Sequence, residues 1–131
     1  MSEIEYSFLS FDDVLELHEM QLASYGGATG IRDVGLLESA VMMPKASFGG
    51  QYLHEGVFEM AAAYAFHIAE NQPFVDGNKR TALAAALVFL DWHGVEIDDP
   101  DEKLYGAMIG LAQKRLDKSE LALLFMGLSG Q

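Results

Sequence analysis

The segment Asn71-Gln72-Pro73-Phe74-Val75-Asp76-Gly77-Asn78-Lys79-Arg80-Thr81, running straight into the apolar stretch 82–90, constrains this chain more than any other feature. A short loop holds an acid, a glycine, an amide, a lysine and an arginine, and the run behind it reads as a buried helix. The loop therefore meets a helix N-terminus, where backbone N–H groups lack intrahelical partners and the dipole is positive. Lys79 and Arg80 add positive charge at that point, which makes an anion site of the kind that holds phosphates. Asp76 beside them is a candidate ligand for the Mg²⁺ that accompanies a nucleotide.

The rest of the chain is patterned for an all-α fold. Ser10 with Asp13 resembles a capping box, and Val14, Leu15, Leu17 and Leu22 give an apolar stripe stopped by Gly26-Gly27. Asp33 caps a second helix to about Met43, ended by Pro44. Ser47, Phe48, Gly49, Gly50, Gln51, Tyr52 and Leu53 alternate aromatics with glycines and predict a short extended flap. A third helix runs from about Glu55 to Asn71, and a fourth from about Asn78 to His93 ends at Gly94. Asp99-Pro100 predicts a cap with proline in the first helical position, opening a helix to about Lys114. Asp117 with Glu120 caps the last helix.

The 131 residues make one domain, 1–131, long enough for a single core. A net charge of −12 argues against a nucleic-acid partner, because phosphate backbones need a basic face. The absence of cysteine removes disulfides and thiol chemistry and is compatible with a cytoplasmic location. The acidic start Met1-Ser2-Glu3-Ile4-Glu5 does not read as a signal peptide, and the apolar run 82–90 is too short to span a membrane.

The loop resembles the signature of the Fic/Doc family, His-x-Phe-x-Asp/Glu-Gly-Asn-x-Arg, and most closely its Doc (death-on-curing) branch. Phe74, Asp76, Gly77, Asn78, Lys79 and Arg80 match the Doc form of that pattern; Gln72 stands where the family has its catalytic histidine. Tyr25-Gly26-Gly27, Gly35-Leu36-Leu37-Glu38 and Ser47-Phe48-Gly49-Gly50 are similar to Doc landmarks in the same order. The resemblance implies a Fic/Doc-type bundle of about six helices with a short flap, and a toxin of a toxin–antitoxin system. It implies transfer from ATP, with Mg²⁺ at Asp76, to a Ser, Thr or Tyr hydroxyl of a protein substrate. A translation elongation factor is the kind of target it suggests. Gly77, Asn78, Lys79 and Arg80 would hold the nucleotide, and residues 47–53 would hold the target backbone as an added strand. In AMP-transferring members the Lys79 position is usually glycine, so a lysine there favours transfer of the terminal phosphate over transfer of AMP.

Each loop residue also has a plainer reading. Asp76 and Asn78 are good helix caps, Gly77 a turn residue, Lys79 a solvent-facing charge, Arg80 half of a surface ion pair, and Phe74 a hydrophobic anchor. An amide at Gln72 does not titrate near neutral pH, so it cannot take the hydroxyl proton, and transfer should be slow. Gln72 is either natural, marking a pseudoenzyme or a branch with substrate-assisted transfer, or an introduced change that disarms a toxin. A non-catalytic Fic-fold binding module is the alternative function. Among the other histidines, His67 lies on an apolar helix as a structural residue and His54 lies at the flap. His18 reads as surface and His93 as a helix end, and no pair has metal-site spacing. No Ser or Thr is followed by Glu four positions on, so the family's internal inhibitory motif is absent and a separate antitoxin chain is implied.

Overall fold

A computed structural model of the chain describes residues 5–130. These form six α-helices and a single two-stranded hairpin, an all-α architecture with a small flap. In α1, Phe11–Tyr25, Ser10 Oγ accepts the Asp13 N–H while the Asp13 carboxylate accepts the Ser10 N–H, the reciprocal cap its sequence predicts. Gly26, at φ 80, ends α1 and donates its N–H to Leu22 O. In α2, Val34–Met42, the Asp33 carboxylate accepts the Leu36 N–H. Pro44 does not simply stop this helix; it sits within a single 3-10 turn, Met43–Lys45.

The hairpin pairs β1, Ser47–Phe48, with β2, Gln51–Tyr52, in antiparallel register. Gly49 and Gly50 make the two-residue turn, and both have positive φ, 60 and 80, which is the backbone such a tight hairpin requires. Phe48 projects from the flap at 83% exposure.

Helix α3, Val57–Asn71, packs against α2, α4 (Asn78–Trp92), α5 (Lys103–Ala112) and α6 (Lys118–Leu128). Its Ala61, Ala62, Ala63 and Ala65 are fully buried, and such small side chains let neighbouring helices approach closely. Tyr64, Phe89, Leu90, Leu121 and Phe125 fill the surrounding core. The Tyr64 hydroxyl accepts the Leu9 N–H at 2.8 Å, which ties the segment before α1 to the core, and burial pushes its phenol pKa well up. No helix among the described residues is long and apolar enough to cross a membrane.

Two sequence expectations change. Pro100 does not begin α5, which starts at Lys103. Asp99 still caps it, but from further back: its carboxylate accepts the N–H groups of Lys103 and Leu104 across a turn in which Glu102 has φ 52. His18 is not a surface residue; it is 4% exposed, because that face of α1 packs over the loop leading into α4.

Candidate active site

The loop between α3 and α4 is held in place largely by groups outside the motif. At the end of α3, Gln72 adopts a left-handed conformation, φ 46, and donates its N–H to Ile68 O. Arg32 then holds three consecutive carbonyls. Its Nε donates to Gln72 O at 2.7 Å, its Nη2 to Asn71 O at 2.8 Å, and its backbone N–H to Pro73 O. A bridge between Ile31 and Phe74 continues this pairing, with the Val75 N–H on Gly30 O. The backbone at residue 72 is thus held by a segment forty positions earlier in the chain.

Phe74 is the loop's anchor, as its type suggests. It is 1% exposed, and its ring stacks on His18 with centroids 3.8 Å apart and planes 5° apart. His18 also donates from Nε2 to the Asp76 carbonyl at 2.8 Å. Its role is therefore to hold the loop, which α1 periodicity alone did not reveal.

The Asn78 side chain is committed to the same task. Its Oδ1 accepts the Phe74 N–H and its Nδ2 donates to Phe74 O, so it pins the loop rather than reaching toward a phosphate. Neither Asp76 nor Asn78 caps α4. Gly77 occupies the capping position in a left-handed conformation, φ 78, with no side-chain cap. The first-turn N–H groups of Asn78, Lys79 and Arg80, which helix geometry leaves without intrahelical partners, thus face no capping side chain.

The Asp76 carboxylate accepts the Gly77 N–H through one oxygen and the Ala28 N–H through the other. Gly27 makes that approach possible. A Cβ on it would stand 2.9 Å from Asp76 Oδ2, and its φ of 123 disfavours any side chain. This is the physical content of the Tyr25-Gly26-Gly27 landmark. Asp76 is exposed and keeps further lone pairs after two N–H bonds, so the donor set fits Mg²⁺. Among the described residues no cluster of three or more acidic, His or Cys side chains surrounds it. A cation there would draw its other ligands from phosphate and water, the usual pattern for nucleotide magnesium.

Gln72, Asp76, Gly77, Asn78, Lys79 and Arg80 together line one cavity of about 490 Å³. Lys79 is exposed at its rim. The guanidinium of Arg80 lies 3.7 Å from the ring centroid of Tyr25 and 4.4 Å from that of Tyr105. No ion pair or hydrogen bond of its side chain occurs among the described residues, which removes the surface-ion-pair reading. Residues 47–53 do not line this cavity, so the flap is a separate surface.

The remaining histidines are structural. His93 donates from Nδ1 to Phe89 O and accepts the Ser7 N–H at Nε2. His54 points inward, 8% exposed, with its Nε2 2.9 Å from Lys118 Nζ, so it is not presented to a substrate at the flap. His67 Nε2 lies 3.2 Å from the same ammonium. Burial, reinforced by Lys118, holds both imidazoles below their usual pKa, with His67 lowered to about 4. Burial lowers Lys118 as well.

The model of the Fic/DOC family matches residues 8–90, a span that holds the whole loop and the α1 and Arg32 segments that fix it. The chain belongs to the Fic/Doc family. It is 40% identical over 90 residues to a protein named Toxin Doc from Mycolicibacterium smegmatis, covering 69% of this chain and 67% of that one. It is 32% identical over 114 residues to Protein kinase doc from Escherichia phage P1, covering 87% of this chain and 89% of that one. The sequence resemblance thus extends well beyond the loop.

Proposed function

We propose that this chain is a Doc-like toxin whose site binds ATP with Mg²⁺ and directs the terminal phosphate to a protein hydroxyl, with transfer impaired at position 72. The observation that carries the reading is the arrangement at the start of α4: uncapped N–H groups, an Arg80 with uncommitted donors, and Asp76 lining the same cavity. The names of the two Doc relatives support the toxin and kinase parts of it. When bound, Mg²⁺ would neutralise charge on the phosphates and draw them toward Asp76.

The chain's own residues then divide the work. The α4 N-terminus and Arg80 hold phosphate oxygens, Arg80 through its planar fork. Lys79, at the rim, occupies room that an AMP-transferring orientation would need. In the transfer itself the acceptor hydroxyl oxygen bonds to the γ-phosphorus, the bond to the bridging oxygen breaks, ADP leaves, and the hydroxyl proton must be taken up. Gln72 is exposed at the cavity and can hydrogen-bond the hydroxyl, but its amide cannot accept that proton. The flap serves as the backbone platform for the protein target, its edges being open. A separate antitoxin covers the apolar groove of about 630 Å³ that adjoins the site, lined by Leu83, Leu87, Val95 and Ile97. This reading places the chain in the cytoplasm, with an elongation factor as the kind of target.

Calorimetry with ATP and Mg²⁺ tests binding, and no heat at millimolar nucleotide would sink the assignment. Labelled ATP tests the chemistry in the Gln72→His protein. Label should reach a protein substrate from the γ position and not from the α position; the reverse would show AMP transfer. An inactive Gln72→His protein that binds ATP normally would leave a Fic-fold binding module.

A further inference from the structure

Arg80 has an unusual environment for this chain. With 20 acidic and 8 basic residues, the ordinary neighbour of a guanidinium would be a carboxylate. Instead two aromatic rings from distant parts of the chain converge on it, Tyr25 at the last position of α1 and Tyr105 in the first turn of α5. An aromatic face attracts a cation through its quadrupole and takes up none of its hydrogen-bond donors. A carboxylate would hold the guanidinium as firmly but would occupy the fork bidentately and neutralise its charge. Tyr25, Tyr105 and Arg80 line the phosphate cavity together, so the rings sit where they hold the side chain at the place a phosphate would enter.

We infer that Tyr25 and Tyr105 are positioning residues for phosphate capture: their rings fix the Arg80 guanidinium at the cavity wall and leave its N–H donors free for polyphosphate oxygens. The inference rests on the nucleotide-binding reading above and adds the device that readies the arginine. A free arginine loses much rotamer freedom when it grips a ligand; a stacked one has lost it already, so affinity rises without a new contact. Tyr25 is 62% exposed and Tyr105 half-buried, so neither ring is a core residue and their replacement leaves the packing under α4 intact.

The test uses the full chain with two probes, ATP–Mg²⁺ and inorganic pyrophosphate–Mg²⁺, in calorimetry. Tyr25→Phe/Tyr105→Phe, which keeps both faces, should bind each probe within about twofold of the parent. Tyr25→Leu/Tyr105→Leu should weaken both probes by roughly tenfold, with the thermal midpoint unchanged. In an Arg80→Ala background the leucine pair should have no further effect, as residues acting through one another require. In ¹⁵N spectra the Arg80 Nε–H resonance, slowed by stacking, should broaden or vanish in the leucine pair. Should the pair lose stability, Tyr25→Leu alone, at the more exposed ring, carries the same comparison. Unchanged affinity in the leucine variants would overturn the inference. So would a loss confined to ATP, which would mean the rings stack on the base, or a loss that persists without Arg80. A parent chain that binds neither probe would overturn the nucleotide reading itself and this inference with it.

Discussion

Helix α3 carries two clusters of basic and polar groups, and they differ in whether their hydrogen-bonding capacity has been used. On its flank the Lys118 ammonium meets the Nε2 atoms of buried His54 and half-buried His67 at 2.9 and 3.2 Å. At its C-terminal end the loop from Gln72 to Arg80 faces a cavity, with the Arg80 donors and the start of α4 left open. By residue type alone the flank looks the more chemical of the two, since it holds two imidazoles. The difference teaches that a site is marked by unspent donors and acceptors held rigidly. At the α3–α6 junction both imidazole Nε2 atoms are taken up by Lys118; at the loop, Arg32, His18 and Asn78 hold the backbone while the Arg80 guanidinium meets only aromatic faces.

The comparison breaks most sharply at residue 72. Gln72→His should raise transfer by roughly 10²–10⁴, the contribution of a positioned general base, and should arrest growth when expressed without an antitoxin. Histidine also tolerates the left-handed backbone found there. Radiolabel transfer into a cell lysate measures the gain. Equivalent changes at His67, such as His67→Gln, should leave transfer by the Gln72→His protein unaltered; a dependence on His67 would erase the distinction between the clusters.

Arg80→Ala tests the open cluster. Loss of charge-assisted hydrogen bonds costs about 1.5–3 kcal/mol, so ATP affinity should fall by about ten- to a hundredfold in calorimetry with little change in stability. A purely structural arginine would show the opposite pattern.

Acid should act on the closed cluster. His54 and His67 have folded pKa values below the unfolded value, so above about pH 7 they are neutral in both states and impose no penalty. As pH falls below about 6.5 the unfolded chain binds protons that the folded chain refuses. Stability is then lost progressively, until His67 itself charges near its folded pKa of about 4. The loss should be on the order of 1–3 kcal/mol after allowance for partial solvent access. Urea melts at pH 7 and pH 5 should show it, and His67→Gln should flatten the slope.

The smallest expected effect sharpens the loop's side of the comparison. Arg32→Ala removes two donors from the Asn71 and Gln72 carbonyls and should cost about 1 kcal/mol of stability. In the Gln72→His background it should lower kcat more than it raises KM, because it loosens the backbone at residue 72 without touching the cavity's anion contacts.

Local chemistry was legible from the sequence wherever partners lie within a few residues. The capping boxes at Ser10 and Asp117 and the short extended flap around Gly49-Gly50 follow from short-range rules, and the structure has them. Asp76, Gly77, Lys79 and Arg80 line one cavity, since a loop before a buried helix can present its polar groups in few ways. Pro100 misled because its neighbour Asp99 caps at longer range, through a turn in which Glu102 takes a left-handed backbone that propensity does not foresee.

What only tertiary structure decided is which of these groups remain free. Asn78 looks like a phosphate donor until Phe74 is seen to use both ends of its amide. His18 looks solvent-facing until α1 is laid over the loop, and His54 looks available until α6 brings Lys118 to it. Arg32 and Tyr105 carry no motif and reach the site only through folding. The sequence by itself determined the six helices, the short flap and the caps of α1, α2 and α6, because caps and turns are short-range. The commitment of His18 and His54 depends on atoms tens of residues away, so it exists only once the helices have packed, and that of Asn78 on the loop conformation which the same packing holds in place.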